Sequence, residues 1–222
     1  MPAPRVVVLL SGGMDSTVLL AHERALSRET IALNICYGQR HVREIDAAAK
    51  VAEFYNAEYH FVNLPPEIWE GSSSSQILKN EVAVPHGHYA DESMKTTVVP
   101  NRNMMLLSVA AAVAISKKCQ YVGYAAHAGD HAIYPDCRSS FILPMQEALR
   151  QCDWSPIELE APFVASTKAD IVRLGHELRA PFELTYSCYE GRRLHCGKCG
   201  TCTERKEAFE LANVADPTKY ET

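Results

Sequence analysis

The chain has 222 residues, a length that fits one α/β domain with a small appendage. Its residues are 47% hydrophobic and 22% charged, which is typical of a globular protein, and its formal net charge is −5. This acidic balance excludes an overall positive field of the kind that attracts nucleic acid, so we expect no nucleic-acid partner.

The first predicted element is a short buried strand, Val6–Leu10, and a helical pattern follows over Ser16–Arg28. The few residues before the strand have neither the apolar region nor the cleavage site of a signal peptide. No later stretch approaches the length of a membrane span. We therefore expect a cytoplasmic protein with no membrane association.

A polar turn with two glycines joins this strand to this helix. Unpaired backbone N–H groups and the helix dipole favour an anion at a helix N-terminus. Glycines let the main chain approach that anion closely, and hydroxyl side chains add donors. The residues predicted to hold a phosphate are Leu10, Ser11, Gly12, Gly13, Met14, Asp15, Ser16 and Thr17. The alternative is a glycine-rich turn without a ligand.

Strands and helices alternate along the rest of the chain. The other predicted strands are Thr30–Tyr37, Glu58–Val62, Tyr121–Ala125 and Ile157–Ala161. The other helical patterns are Val42–Asn56, Asn103–Lys118 and Phe141–Gln151, with a further helix that starts near Thr167 and Asp170 as a capping-box variant. This alternation predicts a doubly wound, parallel sheet of five strands.

The segment 65–100 is too long for a routine connection and predicts an insertion or a lid. His86 and His88 in this segment could ligate a metal, but we favour a solvated loop.

Three polar clusters follow predicted strands or open a predicted helix: 37–41, 99–103 and 123–138. In a parallel α/β sheet, ligands bind outside the carboxyl ends of the strands. The three clusters are therefore expected to converge on one site.

Four of the eight cysteines lie close together near the C-terminus, at Cys188, Cys196, Cys199 and Cys202. Four thiolates at this spacing are the usual tetrahedral set for a structural Zn²⁺ ion. An iron–sulfur cluster also takes four cysteines, and unliganded thiols are the third alternative. His195 adjoins Cys196 and is a fifth candidate ligand, but with four cysteines present we expect it to lie beside the metal or to face solvent.

Several motifs together resemble the QueC family of 7-cyano-7-deazaguanine synthases, within the ATP pyrophosphatase (PP-loop) superfamily. They are Ser11-Gly-Gly-Met-Asp-Ser-Thr17, Cys36-Tyr-Gly-Gln-Arg-His41, Val99-Pro-Asn-Arg-Asn103, Tyr134-Pro-Asp-Cys-Arg138, Thr185-Tyr-Ser-Cys-Tyr-Glu-Gly191 and His195-Cys-Gly-Lys-Cys-Gly-Thr-Cys202. The resemblance covers essentially the whole chain. It implies a fold like that of the adenine nucleotide alpha hydrolases and a homodimer.

The resemblance also implies a reaction in queuosine biosynthesis, with small-molecule substrates only. A ligase of this family converts 7-carboxy-7-deazaguanine, ammonia and ATP into the nitrile preQ0, through an adenylated acid and then an adenylated amide. ATP is split into AMP and pyrophosphate. The chain has no glutaminase segment, so we expect free ammonia as the nitrogen source.

Roles for individual residues follow from the same resemblance. The loop from Ser11 to Thr17 would hold the pyrophosphate, with Ser16 among the catalytic candidates. Asp15 would bind Mg²⁺ or cap its own helix. The candidates to pair with phosphate or with the substrate carboxylate are Arg102, Arg138 and Lys168. The candidates to accept hydrogen bonds from the guanine-like edge, or to bind Mg²⁺, are Asp130 and Asp136.

We therefore expect an ATP-binding PP-loop domain over residues 1–184, and a zinc-binding segment with a C-terminal helix over residues 185–222. Two other functions stay open. The chain could be another ammonia- or sulfur-transferring member of the superfamily, such as a tRNA thiolase, although its negative charge argues against a tRNA substrate. It could also be a nucleotide-binding zinc protein without catalysis.

Overall fold

Five parallel strands form one sheet in the computed structural model, which describes residues 3–39, 43–69, 95 and 98–221. In chain order the strands are β1 (Arg5–Leu9), β2 (Glu29–Cys36), β3 (Glu58–Asn63), β4 (Tyr121–Gly123) and β5 (Glu158–Glu160). They pair in the order β3-β2-β1-β4-β5. The predicted parallel five-stranded sheet is confirmed.

Helices cover both faces of the sheet. Those in the described residues are α1 (Met14–Ala25), α2 (Arg43–Phe54), α3 (Arg102–Ser116), α4 (Ser139–Arg150), α5 (Lys168–Glu177) and α6 (Gly200–Ala212). One core lies between the sheet and α3 with α4, and the other lies between the sheet and α1, α2, α5 and α6. Burial on both sides explains why the central strands are almost continuous apolar runs.

The helix α1 ends at Ala25, three residues before the predicted end at Arg28. The chain leaves the helix at Ser27, whose φ of 59° is left-handed. An apolar period cannot reveal such a turn, because it depends on one backbone angle and not on side-chain burial.

The direction of winding reverses next to β1, because β2 lies on one side of β1 and β4 on the other. Such a reversal opens a crevice at the carboxyl ends of the two strands. The predicted phosphate loop leaves β1 at this point, and the segment 124–138 leaves β4 there. The topology therefore places two of the polar clusters side by side.

Most of the predicted insertion at 65–100, including His86 and His88, lies outside the described residues. Its first residues form a short 3-10 turn, Pro66–Trp69. Within the ranges that the structure describes, no helix is both long and apolar enough to cross a membrane.

Candidate active site

The loop after β1 is held in shape by its own hydrogen bonds. Ser16 Oγ accepts a hydrogen bond from the Ser11 N–H at 3.2 Å, and Thr17 Oγ1 donates to the Gly13 carbonyl at 2.9 Å. Gly12 has a φ of +92°. A Cβ at Gly12 would lie 2.2 Å from the carbonyl oxygen of Glu44, so this close approach to α2 requires glycine.

A cavity of about 240 Å³ opens above this loop. The predicted site residues that line it are Leu10, Ser11, Gly13, Met14, Asp15, Ser16, Arg102, Asp130 and Lys168. Each of the three polar clusters contributes to the wall, as Tyr37, Arg102 and Asp130 show. The structure therefore brings the three clusters together.

Four predicted site residues do not line the cavity. Gly12 packs closely against α2, and the Thr17 hydroxyl donates to the Gly13 carbonyl, so both residues support the loop from the side away from the cavity. Asp136 accepts a hydrogen bond of 3.2 Å from the Asn103 N–H, so it binds an otherwise free donor in the first turn of α3. Arg138 is exposed, and its Nε donates to the His131 carbonyl at 2.7 Å.

Lys168 is the first residue of α5. The predicted capping box of Thr167 and Asp170 is present at this helix start, on either side of Lys168 in the sequence. The Lys168 ammonium lies 3.3 Å from Asp15 Oδ2 and 2.5 Å from Glu204 Oε2. Burial acts to lower the pKa of Lys168, but the charges of Asp15 and Glu204 outweigh it and raise this pKa above its ordinary value. Lys168 therefore stays a cation.

Asp15 projects into the cavity from the first turn of α1. Burial acts to raise the pKa of Asp15, but the charges of Lys168 and His127 lower it below its ordinary value. The carboxylate is therefore ionised. Its Oδ1 is buried and has no hydrogen-bond partner among the described residues.

His127 is buried and faces two carboxylates. Its Nε2 lies 3.9 Å from Asp15 Oδ2 and 3.5 Å from Asp130 Oδ2. Its Nδ1 accepts a hydrogen bond of 3.1 Å from the Gly129 N–H. Because Nδ1 accepts, a neutral His127 carries its proton on Nε2, where it points toward the two acids.

Aromatic side chains surround the other half of the cavity. The Arg102 guanidinium lies 5.7 Å from the centre of the Tyr37 ring and 5.8 Å from that of the Tyr134 ring. The hydroxyl of Tyr134 lies 3.3 Å from that of Tyr189. This half is therefore suited to a flat ring, whereas the loop half is suited to phosphate.

Several cavity residues had no assigned role in the sequence analysis. They are His127, Ser187, Tyr189, Thr201 and Arg205, with Glu204 in contact with Lys168 behind the wall. Arg205 is buried and donates to Thr185 Oγ1 at 2.9 Å. Most of these residues belong to the C-terminal segment, and no spacing in the sequence indicates that α6 packs beside α5.

The four clustered cysteines form one compact group. Their sulfur atoms all lie within 4.8 Å of one another, and all four residues are buried. The sulfurs of Cys196 and Cys202 are 3.9 Å apart, and those of Cys199 and Cys188 are 4.0 Å apart. Backbone N–H groups of Cys196 and Cys199 donate to neighbouring sulfurs at 3.3 Å. The predicted grouping is confirmed, and it could hold a metal ion.

The cysteine group is joined to the cavity through α6. Cys199 is the N-cap of this helix and Cys202 lies in its first turn. Thr201 lines the cavity and donates to the Ser187 carbonyl at 2.8 Å. His195 is buried beside the group and accepts from the Ser187 N–H at 3.3 Å, so it lies beside the four sulfurs and is not one of the grouped ligands.

The strand order, the glycine loop after β1 and the cavity at the switch point define a PP-loop nucleotide-binding protein. The chain belongs to the QueC family: the family model described as "Queuosine biosynthesis protein QueC" matches residues 5–213.

Curated relatives resemble the chain along nearly its whole length. A 7-cyano-7-deazaguanine synthase of Caldicellulosiruptor saccharolyticus is 47% identical over 98% of this chain and 96% of its own. Proteins of the same name from Hahella chejuensis and Brucella ovis are 44% and 46% identical, each over 98% of this chain and 94% of their own.

Solved structures share the fold at low identity. The U34-tRNA thiolase NcsA of Methanococcus maripaludis, solved with its [4Fe-4S] cluster, matches 96% of this chain and 66% of its own with a TM-score of 0.54 and 15% identity. The NMN synthetase of Francisella tularensis matches 96% of this chain and 79% of its own, with a TM-score of 0.53 and 18% identity. At such identity these likenesses show the fold alone.

Proposed function

We propose that the chain is a 7-cyano-7-deazaguanine synthase, an ATP-dependent ligase that converts 7-carboxy-7-deazaguanine and ammonia into the nitrile preQ0 in queuosine biosynthesis. One observation carries this proposal: an anion-binding loop, a cluster of charged side chains and an aromatic wall share one cavity. A relative named as this synthase is 47% identical to the chain over 98% of its length, which supports the same activity here.

The reaction activates one carbon atom twice. A carboxylate oxygen of the acid attacks the α-phosphorus of ATP, and pyrophosphate leaves. Ammonia then attacks the acyl carbon, AMP leaves with that oxygen, and a proton is released. The amide oxygen next attacks the α-phosphorus of a second ATP, and a second pyrophosphate leaves. AMP departs, the nitrogen loses its two protons, and the nitrile remains.

Carboxylate and amide oxygens are poor leaving groups, and adenylation makes each a good one. The protein therefore has little covalent chemistry to do, and positioning with charge stabilisation dominates. We assign the pyrophosphate to the loop Ser11–Thr17, whose N–H groups lie at the start of α1. Ser16 adds a hydroxyl, and Lys168 faces the phosphates from α5.

Asp15 is our candidate ligand for Mg²⁺. Its Oδ1 is a buried, ionised oxygen without a hydrogen-bond partner among the described residues, and hard cations prefer such oxygens. Asp130 lines the same cavity and is the second candidate. Bound Mg²⁺ would neutralise phosphate charge during attack at the α-phosphorus.

A single structural Zn²⁺ ion is our assignment for Cys188, Cys196, Cys199 and Cys202. Zinc–sulfur bonds of about 2.3 Å in a tetrahedron put the sulfurs about 3.8 Å apart. Two of the six separations, 3.9 Å and 4.0 Å, fit that spacing, and all six are within 4.8 Å. An iron–sulfur cluster places a separate iron at each ligating sulfur, so its cysteine sulfurs lie farther apart than the ligands of one ion.

We keep two parts of the chain, 1–184 for ATP and 185–222 for the metal, and assign the second part to one wall of the cavity. The ring centroids of Phe209 in α6 and Phe182 lie 5.0 Å apart, which ties this part to the first.

We also propose a cytoplasmic homodimer. Three large exposed apolar side chains on or after α3 and α4, Met104, Leu143 and Trp154, are the candidate contacts that we would test for this dimer.

One assay tests the function. The purified chain is incubated with 7-carboxy-7-deazaguanine, ATP, Mg²⁺ and ammonium, and the products are followed by mass spectrometry. We expect the nitrile, AMP and pyrophosphate, each dependent on the deazapurine acid. No nitrile with this acid would contradict the proposed function, and no AMP under any condition would favour a binding protein without catalysis.

A further inference from the structure

Arg102 differs from the other strong cations that line the cavity, which are Lys168 and Arg205. Lys168 is paired with two carboxylates, and Arg205 lies 3.3 Å from Asp216. The hydrogen bonds of Arg102 to described residues are to neutral groups, and the described carboxylate whose charge acts on it, Asp136, is engaged by the Asn103 N–H. The Arg102 Nε donates to Asn103 Oδ1 at 3.2 Å and its Nη1 to the Tyr37 hydroxyl at 3.4 Å.

A guanidinium has five N–H donors and stays protonated. The hydrogen bonds to Asn103 and Tyr37 use two of these donors. Counted over the described residues, three N–H donors therefore remain for a ligand. Removing a cation from water is costly unless an anion faces it. The Tyr37 and Tyr134 rings flank this guanidinium and supply π-faces but no formal charge. This part of the cavity is therefore suited to a ligand with one negative group.

The wall around Arg102 also distinguishes between two possible anions. ATP phosphates belong at the start of α1, where the loop N–H groups point. Arg102 instead begins α3, and its cavity neighbours include Leu106, Tyr134 and Tyr189. An aromatic and apolar wall fits a flat heterocycle better than a string of hydrated phosphates. The anion expected here is therefore a carboxylate on a planar ring.

Cys137 also lines the cavity, but its thiol does not offer a covalent alternative. Burial raises the pKa of Cys137 above its ordinary value, so the thiol stays protonated. Cys137 instead lies 3.3 Å from the Tyr124 hydroxyl and 3.5 Å from Asn103 Nδ2. These contacts hold Asn103, and Asn103 holds Arg102.

We infer that Arg102 binds the carboxylate of the acid substrate, with the deazaguanine ring against Tyr37, Tyr134 and Tyr189. This inference rests on the proposed function. Arg102 would hold one carboxylate oxygen while the other attacks the α-phosphorus above the loop. The amide intermediate has no negative charge, so Arg102 contributes much less to the second activation than to the first. The residue is thus specific to the acid step.

The test compares two substrates in one variant, Arg102→Gln. With 7-carboxy-7-deazaguanine we expect kcat/KM for nitrile formation to fall by at least about 10²-fold, the scale of hydrogen bonds to a charged group. With the preformed amide, 7-amido-7-deazaguanine, we expect a loss below about 10-fold, because this substrate has no negative charge to pair with the guanidinium. Arg102→Lys keeps the charge without the bidentate geometry and should recover part of the acid activity.

The control variant is Arg24→Gln, which removes an exposed arginine at the end of α1 and should leave both substrates unaffected. Thermal unfolding shows whether the Arg102 variants are folded, and Arg102→Lys carries the test if Arg102→Gln is not. Equal losses with acid and amide, or no loss with the acid, would overturn the inference. If the wild-type chain forms nitrile from neither substrate, the proposed function fails and the inference fails with it.

Discussion

Glu204 accepts a hydrogen bond of 2.5 Å from the ammonium group of Lys168, which also lies 3.3 Å from Asp15 of the phosphate loop. Glu204 belongs to α6, whose first turn contains Cys202. The helix that begins in the cysteine group therefore supplies a charge that holds Lys168 next to the loop. The proposed metal-binding segment and the proposed ATP site are therefore joined through the ion pairs of Lys168 with Glu204 and Asp15.

Replacing Glu204 should consequently affect ATP more than it affects folding. Glu204→Gln keeps the shape of the side chain but removes the charge that anchors Lys168. We expect kcat/KM for ATP to fall by roughly 10- to 100-fold, the usual cost of losing a partner that orients a site residue. Glu210→Gln changes an exposed glutamate on the same helix and is the matched control. Equal activity of the two variants would argue against an anchoring role.

The loop itself gives a larger expected effect. Asp15→Asn or Ser16→Ala should lower turnover by at least about 10²-fold while the fold stays intact, since groups that stabilise transition-state charge contribute on this scale. Steady-state kinetics with a circular dichroism spectrum of each variant measure this. Asp153→Asn and Ser108→Ala are the matched controls, since both positions are exposed. Nearly normal turnover of both loop variants would show that the loop is not the phosphate site.

Two adjacent glycines of the loop should respond differently to alanine. At Gly12 the φ is +92° and a Cβ would lie 2.2 Å from Glu44 O and 2.7 Å from Ala48 N, both backbone atoms. Gly12→Ala should therefore lower the free energy of unfolding by more than about 2 kcal/mol. At Gly13 the nearest atom to a Cβ is the Ser11 hydroxyl at 3.3 Å, which can rotate away. Gly13→Ala should cost less than about 1 kcal/mol. Denaturant titration of both variants decides whether this difference exists.

The parts of this site that sequence reasoning predicts are those encoded by short spacings. The glycines and hydroxyls of the loop all lie within the seven residues Ser11–Thr17. The last three cysteines of the group likewise lie within the seven residues Cys196–Cys202. The parallel direction of the strands also follows from the alternation of strands and helices, because parallel strands need crossovers. In each case a local pattern and a general rule are enough.

Side-chain direction in irregular segments is harder to predict. Asp136 lies within a 3-10 turn, Pro135–Cys137, and Arg138 follows it. The Asp136 carboxylate reaches the start of α3, whereas Arg138 is exposed. No periodicity determines which residues of such a turn face a cavity. Glu204 was missed for a different reason. Its contact with Lys168 spans 36 residues and depends on how α6 packs against α5, a tertiary contact without a sequence signature.

The proposed chemistry predicts where oxygen goes. If the substrate carboxylate attacks the α-phosphorus, one carboxylate oxygen ends in the phosphate of AMP. We expect ¹⁸O from labelled 7-carboxy-7-deazaguanine to appear in AMP and not in pyrophosphate, measured by mass spectrometry of the separated products. If the products were ADP and free phosphate without AMP, or if the AMP were unlabelled, the acid would be activated by another route.

The cysteine group should bind one structural zinc ion and take no part in the chemistry. Four thiolates close a tetrahedral site and leave no position for substrate or water. On this assignment the segment 188–202 would gain order from the bound metal, so binding free energy would become folding free energy. Cys196→Ser should therefore lose the metal and most of the soluble protein, and any folded remainder should keep some activity.

Cys152→Ser, at an exposed cysteine outside the group, is the matched control. Elemental analysis should give close to one zinc per chain in the wild type and in Cys152→Ser, and none in Cys196→Ser. Iron with visible charge-transfer absorption, or no metal in the wild type, would contradict the assignment.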